Sequence, residues 1–462
     1  MVCTAGLEAF QIMHAKVPFA AGLLETLGQL EASARDSLDG ASRYLRRGFR
    51  IIDASEAAAI GGWTQFLNEA DKPPSVTGTS HGILALLACH ELPDSNVVKS
   101  ATRFLAARQC ADGGWTKPSL HDKCSLTRIS GLALRALLDS GFHHSSPTVQ
   151  RGVQWLLQAQ NDDGGWGNVA HDSDSDVTST SFALQAMTRV VGIAQAGRDV
   201  IRKGQAWITD ARNGDHSWGY TKDKPGTVAH TSEAIDGLLA CGRNPGMLRP
   251  TTEWLTQHVS EEDQFNERYL IPHEPCAGTS VIWTQCSKER GLVALLALGT
   301  NVIAPAVLGT VSDILSRQVD ATYWKTEAFH DAEPIWAVKE AVVALRLFQD
   351  RVERDRAAVV LSEEMVSIRK QLDAVQLNVN ELLNREARRS WRGRVKAGWS
   401  AIRRPSGVAG VLTLILIILY AVFRRVLKLP DYADVLATTA GFGGIALTAY
   451  QVLRDVRGGK MK

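Results

Sequence analysis

The sequence predicts an all-α protein, a closed ring of six helical hairpin repeats, (α/α)6, followed by a coiled-coil helix and one or two transmembrane helices. Three observations carry this expectation. Trp63, Trp115, Trp166 and Trp218 stand 52, 51 and 52 residues apart, and the same period runs on to the neighbourhood of Tyr269 and Trp324. A recurrence of that length is the mark of a repeat architecture. Each period holds an amphipathic helix, a Gly/Asp turn with its tryptophan, a polar connector and a helix of small residues. The chain then ends in two long uncharged stretches behind a basic segment.

Taken in order, residues 1–40 are expected to be a helical segment packing on the ring, and residues 41–348 the ring itself. The first helices of the repeats, such as ATRFLAARQ and RGVQWLLQAQ, suit an outer layer. The second helices, among them GLALRALL, TSFALQAM and KEAVVALRLF, are rich in Ala, Gly and Leu on several faces and suit an inner layer packed on both sides. Long repeats without polar capping units favour closure over an open superhelix. With 45% hydrophobic and 22% charged residues over 462 positions, the composition is that of a folded protein. The net charge of +2 comes from basic residues gathered in the C-terminal quarter, so the ring is not a nucleic-acid binder. Seven cysteines without a tight framework read as reduced thiols facing cytosol. The N-terminus lacks the basic and apolar regions of a cleaved secretory signal.

Gln109–Trp115 (QCADGGW) and Gln160–Trp166 (QNDDGGW) resemble the Q-x-x-D-G-G-W repeat of squalene cyclases and their relatives. The resemblance covers about residues 40 to 348. It implies the α/α toroid of the terpenoid cyclases and protein prenyltransferases, in which the Gln and Trp staple helix ends and take no part in catalysis. Fold alone does not choose among the functions of that group.

Two chemistries follow from the resemblance. Class II terpene cyclases protonate a double bond or epoxide with an Asp of a D-x-D-D-T-A motif, a step that needs a carboxyl held protonated in an apolar cavity. The candidates here are Asp174 and Asp176, but Val177 stands where the motif's last Asp belongs, and a helix-capping role for Asp176 is the stronger reading. An EF-hand loop is excluded by Val177 and Ala183. Protein prenyltransferases bind zinc with an Asp, a Cys and a His; Asp122, Cys124 and His230 are the counterparts, with His230 one repeat further on than the pattern asks. No other cofactor is expected. The connectors also repeat a His-acid-x-Cys/acid pattern: His121, Asp122, Cys124; His171, Asp172, Asp174; His273, Glu274, Cys276; His330, Asp331, Glu333. With His230, these would crown one mouth of the ring as a polar rim for a ligand, a metal or a partner. The plainer alternative is helix-entry chemistry.

In the tail, Leu361, Met365, Ile368, Leu372, Val375, Val379 and Leu382 alternate in steps of four and three, so residues 355–385 read as a coiled-coil neck through which the chain would homo-oligomerise. Residues 386–404 form a basic juxtamembrane segment, 405–455 a transmembrane hairpin and 456–462 a basic tail. The charge bias places the head on the cytoplasmic side of the cell membrane. Two functions remain in competition. The first, favoured by the layout and the incomplete acid motif, is a membrane-anchored binding module for an isoprenoid, small-molecule or protein ligand, acting as a receptor or effector, with bacterial defence as one setting. The alternative is a membrane-tethered cyclase- or prenyltransferase-like enzyme acting on an isoprenoid.

Overall fold

The computed structural model describes residues 19–390, apart from 55–58, 70, 122, 172, 191–194, 272–276, 327–328 and 330. Contacts divide the chain into two units, Met1–Arg356 and Ala357–Lys462. Helices dominate the first unit, in alternating outer and inner order. The outer helices are α1 (Phe19–Gly48), α3 (Asn96–Ala107), α5 (Pro147–Gln158), α7 (Gln195–Asp210), α9 (Arg249–His258) and α11 (Pro305–Ser316). Their inner partners are α2 (Val76–Ala88), α4 (Thr127–Asp139), α6 (Val177–Met187), α8 (Val228–Ala240), α10 (Ser287–Ala297) and α12 (Ile335–Ser390). The stretch expected as an N-terminal appendage thus supplies the outer helix of the first hairpin.

The all-α expectation needs one amendment. Three two-stranded antiparallel sheets sit in the connectors: β1 (Arg50–Asp53) with β2 (Ile60–Gly62), β3 (Phe265–Leu270) with β4 (Ser280–Gln285), and β5 (Gln318–Val319) with β6 (Tyr323–Trp324). The second replaces the tryptophan turn in the fifth repeat, where the sequence signature fades.

The repeated tryptophans build the fold in one way. The indole N–H of Trp115, Trp166, Trp218 and Trp324 donates to the carbonyl ten residues earlier, at Leu105, Leu156, Ile208 and Ile314, over 2.7–2.8 Å. Trp63 does the same to Leu45. All five rings are fully buried, so each indole has its one polar atom satisfied while its apolar body fills the space between an outer and an inner helix. The Gln109 amide donates to Gly113 and Thr148 carbonyls at 2.8 and 2.9 Å, and Gln160 does so to Gly164 and Val200 at the same distances. Asp112 and Asp163 hold the turns, each accepting from a Gly N–H two residues on, from a Ser hydroxyl and from the next outer helix's Trp155 or Trp207.

Neighbouring units are sewn together at the inner-helix starts. Thr127 N–H donates to Asn168 O and Val177 N–H to Tyr220 O, both two residues past a staple tryptophan. Ile335 N–H, in the last unit, donates to Gln65 O, two residues past Trp63 in the first. Tyr44 of α1 stacks on Tyr323 of the last unit with ring centroids 5.3 Å apart. Inner helices are buried almost throughout; every residue of α6 is.

In the second unit, the described part of α12 leaves Leu372 and Val375 of the heptad seam exposed, along with Leu377 off it. Among the described residues no helix is long and apolar enough to cross a membrane. Residues 386–390 of the expected juxtamembrane segment belong to α12, and the rest of that segment, the membrane hairpin and the tail lie outside the described residues.

Gly113 has φ +97° and a Cβ there would lie 2.7 Å from the Arg151 carbonyl. Gly113→Ala is therefore expected to destabilise the first unit by more than about 1 kcal/mol in denaturant unfolding. Gly214→Ala, with open space around it, serves as the control and should stay within about 0.5 kcal/mol.

Candidate functional site

A buried cation organises the entry to the inner helices. Arg128, in the first turn of α4, is 1% exposed. Its guanidinium donates to Asp176 at 2.9 Å, to the Ser179 hydroxyl at 3.2 Å and to Glu267 of β3 at 3.2 Å. Tyr269 lies beneath it, with 4.3 Å to the ring centroid, and Tyr220 and Trp283 flank it. Asp176 is the N-cap of α6: it accepts from Ser179 N–H and Ser179 Oγ, both at 2.7 Å, as well as from Arg128. All three of its bonds are accepted, one from a guanidinium. That is the arrangement of an ion-pair anchor and helix cap. The capping reading of Asp176 holds.

Glu267 fastens the β3–β4 hairpin across these helix starts. It accepts from Arg128, from Tyr269 at 2.5 Å and from Gln285 at 3.1 Å, and shares a 2.5 Å contact with His230 Nε2. Burial would push its carboxyl up, but the His230 hydrogen bond and the Arg128 charge outweigh it and hold the group down at about 2. His230 spends its other ring nitrogen on the Thr227 hydroxyl, 2.8 Å away.

Beside the hairpin lies a cavity of about 280 Å³ whose wall includes Phe66, Ile129, Val281, Trp283, Phe329 and Trp336. The aromatic residues meet edge to face: Phe66 on Trp336, Phe329 on Trp336, and Phe182 on Trp283. Neither Asp174 nor Asp176 belongs to its wall. His81 does, and burial, helped by the charge of Lys339, lowers its imidazole to about 3, so it is neutral. Five polar atoms on lining residues find no partner among the described residues: His81 Nδ1, Ser280 Oγ, Trp283 Nε1, Arg290 Nε and Trp336 Nε1.

Across the interior runs a belt of buried charge that the sequence reading did not foresee. Arg290 of α10 binds Glu233 of α8 and donates to Glu340 of α12 at 3.0 Å, and Lys339 reaches the same Glu340 at 3.0 Å. Glu233 also accepts from Thr178. Arg290 and Glu340 line the aromatic cavity on one side and a second, polar cavity of about 390 Å³ on the other.

The squalene-hopene cyclase C-terminal domain family matches residues 73–218. The chain is 28% identical over 185 residues to protostadienol synthase A of Arthroderma gypseum, covering 38% of this chain and 22% of the synthase. It is 28% identical over 133 residues to squalene–hopene cyclase of Zymomonas mobilis, covering 26% of this chain and 19% of that enzyme. This part of the chain is similar to terpenoid cyclases. Among solved structures, a type II terpene cyclase from Scytonema is similar at 13% identity and TM-score 0.46, covering 70% of this chain and 98% of that one. The chain spans about a fifth of the length of the curated relatives named. The family match and the two curated relatives stand closer to the cyclase-like alternative than to the receptor or effector reading.

The expected site residues scatter. Asp174 and His171 are exposed, and His171 has φ 60° in its turn. His121 is half-buried, 3.6 Å from Cys110 Sγ, and Cys124 Sγ turns to the Ser125 carbonyl. Asp331 and Glu333 join the first and last units through their backbone, to Asn68 and Leu67. Asp122, Asp172, His273, Glu274, Cys276 and His330 lie outside the described residues. Both nitrogens of His230 are engaged, and Asp122, the third residue of the expected zinc set, lies outside the described residues. The residues missed were Arg128, Glu233, Glu267, Arg290 and Glu340. Charges inside otherwise small and apolar inner-helix sequences were the available signal.

Because the Glu267 carboxyl is lowered from its usual 4.5 to about 2, its contribution to the hairpin is complete above pH 4.5 and is lost as pH falls toward 2. Hydrogen exchange corrected for intrinsic rates should show β3–β4 amides losing protection between pH 5 and about 3, and Glu267→Gln should show the loss already at pH 7. Equal protection at both pH values and in the variant would contradict this fastening role.

Proposed function

We propose that the six units close into a ring and that this ring takes up a short, oxygen-bearing isoprenoid in its aromatic cavity, held by hydrogen bonds and not protonated by Asp176. Closure is supported by the Ile335-to-Gln65 bond, which repeats between last and first units the link made between internal neighbours. The ligand reading rests chiefly on the orphaned polar atoms at the aromatic wall, two indole N–H groups among them. An indole N–H can only donate, so Trp283 and Trp336 call for an acceptor, and a buried donor left unmatched costs about 1–3 kcal/mol. A hydrocarbon body with one oxygen answers both the aromatic wall and those donors. The volume of about 280 Å³ suits a short prenyl chain, since small-molecule cavities span roughly 300–1,000 Å³. The charged belt closes the cavity's far side, because apolar chain beside Arg290 and Glu340 would gain nothing for the water it displaced. The uncharged stretches within 405–455 would tether such a protein to the bilayer from which an isoprenoid partitions, and the seam of residues 355–385 would assemble it.

Full-length protein in detergent, titrated with farnesol, is expected to show saturable quenching of tryptophan fluorescence. Farnesene, the same skeleton without oxygen, should bind about tenfold weaker. Trp283→Phe keeps the ring and removes the N–H, and should narrow that gap. Equal affinity for the two probes, or no binding of either, would overturn the reading.

A further inference from the structure

We infer that the polar cavity on the far side of the charged belt is a second ligand site, one for a small hydroxylated anion, with Asp236 accepting the ligand's hydroxyl and Arg189 and Arg135 facing its anionic group. The inference goes beyond the isoprenoid reading and does not depend on it.

The cavity, of about 390 Å³, is walled by five inner helices: α4 through Arg135, α6 through Gln185 and, just past its end, Arg189, α8 through Asp236, α10 through Arg290 and α12 through Lys339 and Glu340. All but one of its charged side chains are matched within the protein. Arg135 donates to Gln185 at 2.7 Å and to Asp139 at 3.3 Å. Arg189 donates to the same Asp139 at 2.5 Å and to the Gln185 carbonyl. Arg290, Lys339 and Glu340 are ion-paired with one another and with Glu233. Asp236 sits on α8 one turn after Glu233, faces the cavity, and has no hydrogen bond or ion pair among the described residues. Burial pushes its carboxyl up to about 6, against the pull of Arg135, Arg290 and Lys339.

Asp236 is half-buried, and a carboxylate that lines a cavity and takes no donor from the protein is free to accept one from a ligand. The donor it lacks is a neutral one: Arg135, Arg290 and Lys339 act on the Asp236 carboxyl and would repel an ammonium in the same place. A hydroxyl meets no such repulsion. At the rim, two guanidinium groups share the single carboxylate of Asp139, and all three groups keep part of their surface exposed, Arg189 at 32% and Arg135 at 22%. Their surplus N–H donors suit a phosphate or carboxylate arriving from solvent.

The probes are glycerol 3-phosphate, inorganic phosphate and glycerol, titrated calorimetrically into the full-length chain in detergent. Glycerol 3-phosphate should bind saturably and each fragment at least tenfold weaker. Asp236→Ala should cost glycerol 3-phosphate at least tenfold while leaving phosphate unchanged, and Arg189→Gln should weaken both. Since Asp236→Ala removes an unmatched group, its melting temperature without ligand should equal or exceed that of the parent. Farnesol binding by Asp236→Ala should be intact, so failure here is separable from failure of the isoprenoid reading. The inference is overturned if glycerol 3-phosphate gives no heat, if Asp236→Ala binds it as the parent does, or if that variant melts lower.

Discussion

A guanidinium taken out of water has to be matched on every side, and Arg128 sets this constraint for the whole entrance to the inner helices. Its partners come from different repeats: Asp176 begins the next inner helix, and Glu267 belongs to the hairpin that replaces a tryptophan turn. Two tyrosines and Trp283 enclose it. Removing a single partner would leave buried charge exposed to low dielectric, which costs far more than the pair contributes when intact. The consequence for function is direct. Asp176, the buried carboxylate among the described residues of the cyclase-like acid segment, is already committed to Arg128 and does not line the aromatic cavity.

The same logic divides the interior. Glu233, Arg290, Lys339 and Glu340 form a belt in which each charge is paired, and the belt lies between an aromatic cavity with orphaned polar atoms and a polar cavity lined by Asp236. One fold thereby offers two chemically opposite environments. The tryptophan staples make this possible by fixing the inner helices from outside, so their inward faces need not all be spent on apolar packing. Full burial with complete pairing favours a single arrangement of the helices.

The repeat was legible in the sequence because its cause is local. An indole reaching a carbonyl ten residues back, a Gly pair at a tight turn and a Gln bridging two carbonyls are all encoded within one motif. The fifth repeat was not legible as a hairpin. Its residues 279–284, TSVIWT, have the β-branched run of a strand, but the fifty-residue rhythm pointed to another tryptophan turn. The site was hardest to read because its bonds span 48, 57 and 139 residues in sequence. Asp176 could be recognised as a cap from its neighbours, yet nothing near it in sequence announces Arg128. Inner helices described as small and apolar carry the very charges, Glu233, Asp236 and Arg290, that shape both cavities.

The central claim is that Asp176 serves Arg128 and does no chemistry of its own, and a double-mutant cycle tests it most directly. Unfolding free energies would be measured for the parent, Arg128→Met, Asp176→Leu and the double variant. The account predicts that each single change costs about 3–5 kcal/mol and that the double variant recovers most of the loss, because two apolar side chains replace a buried ion pair at little net cost. Additive losses, with no recovery in the double variant, would contradict it and free Asp176 for another role.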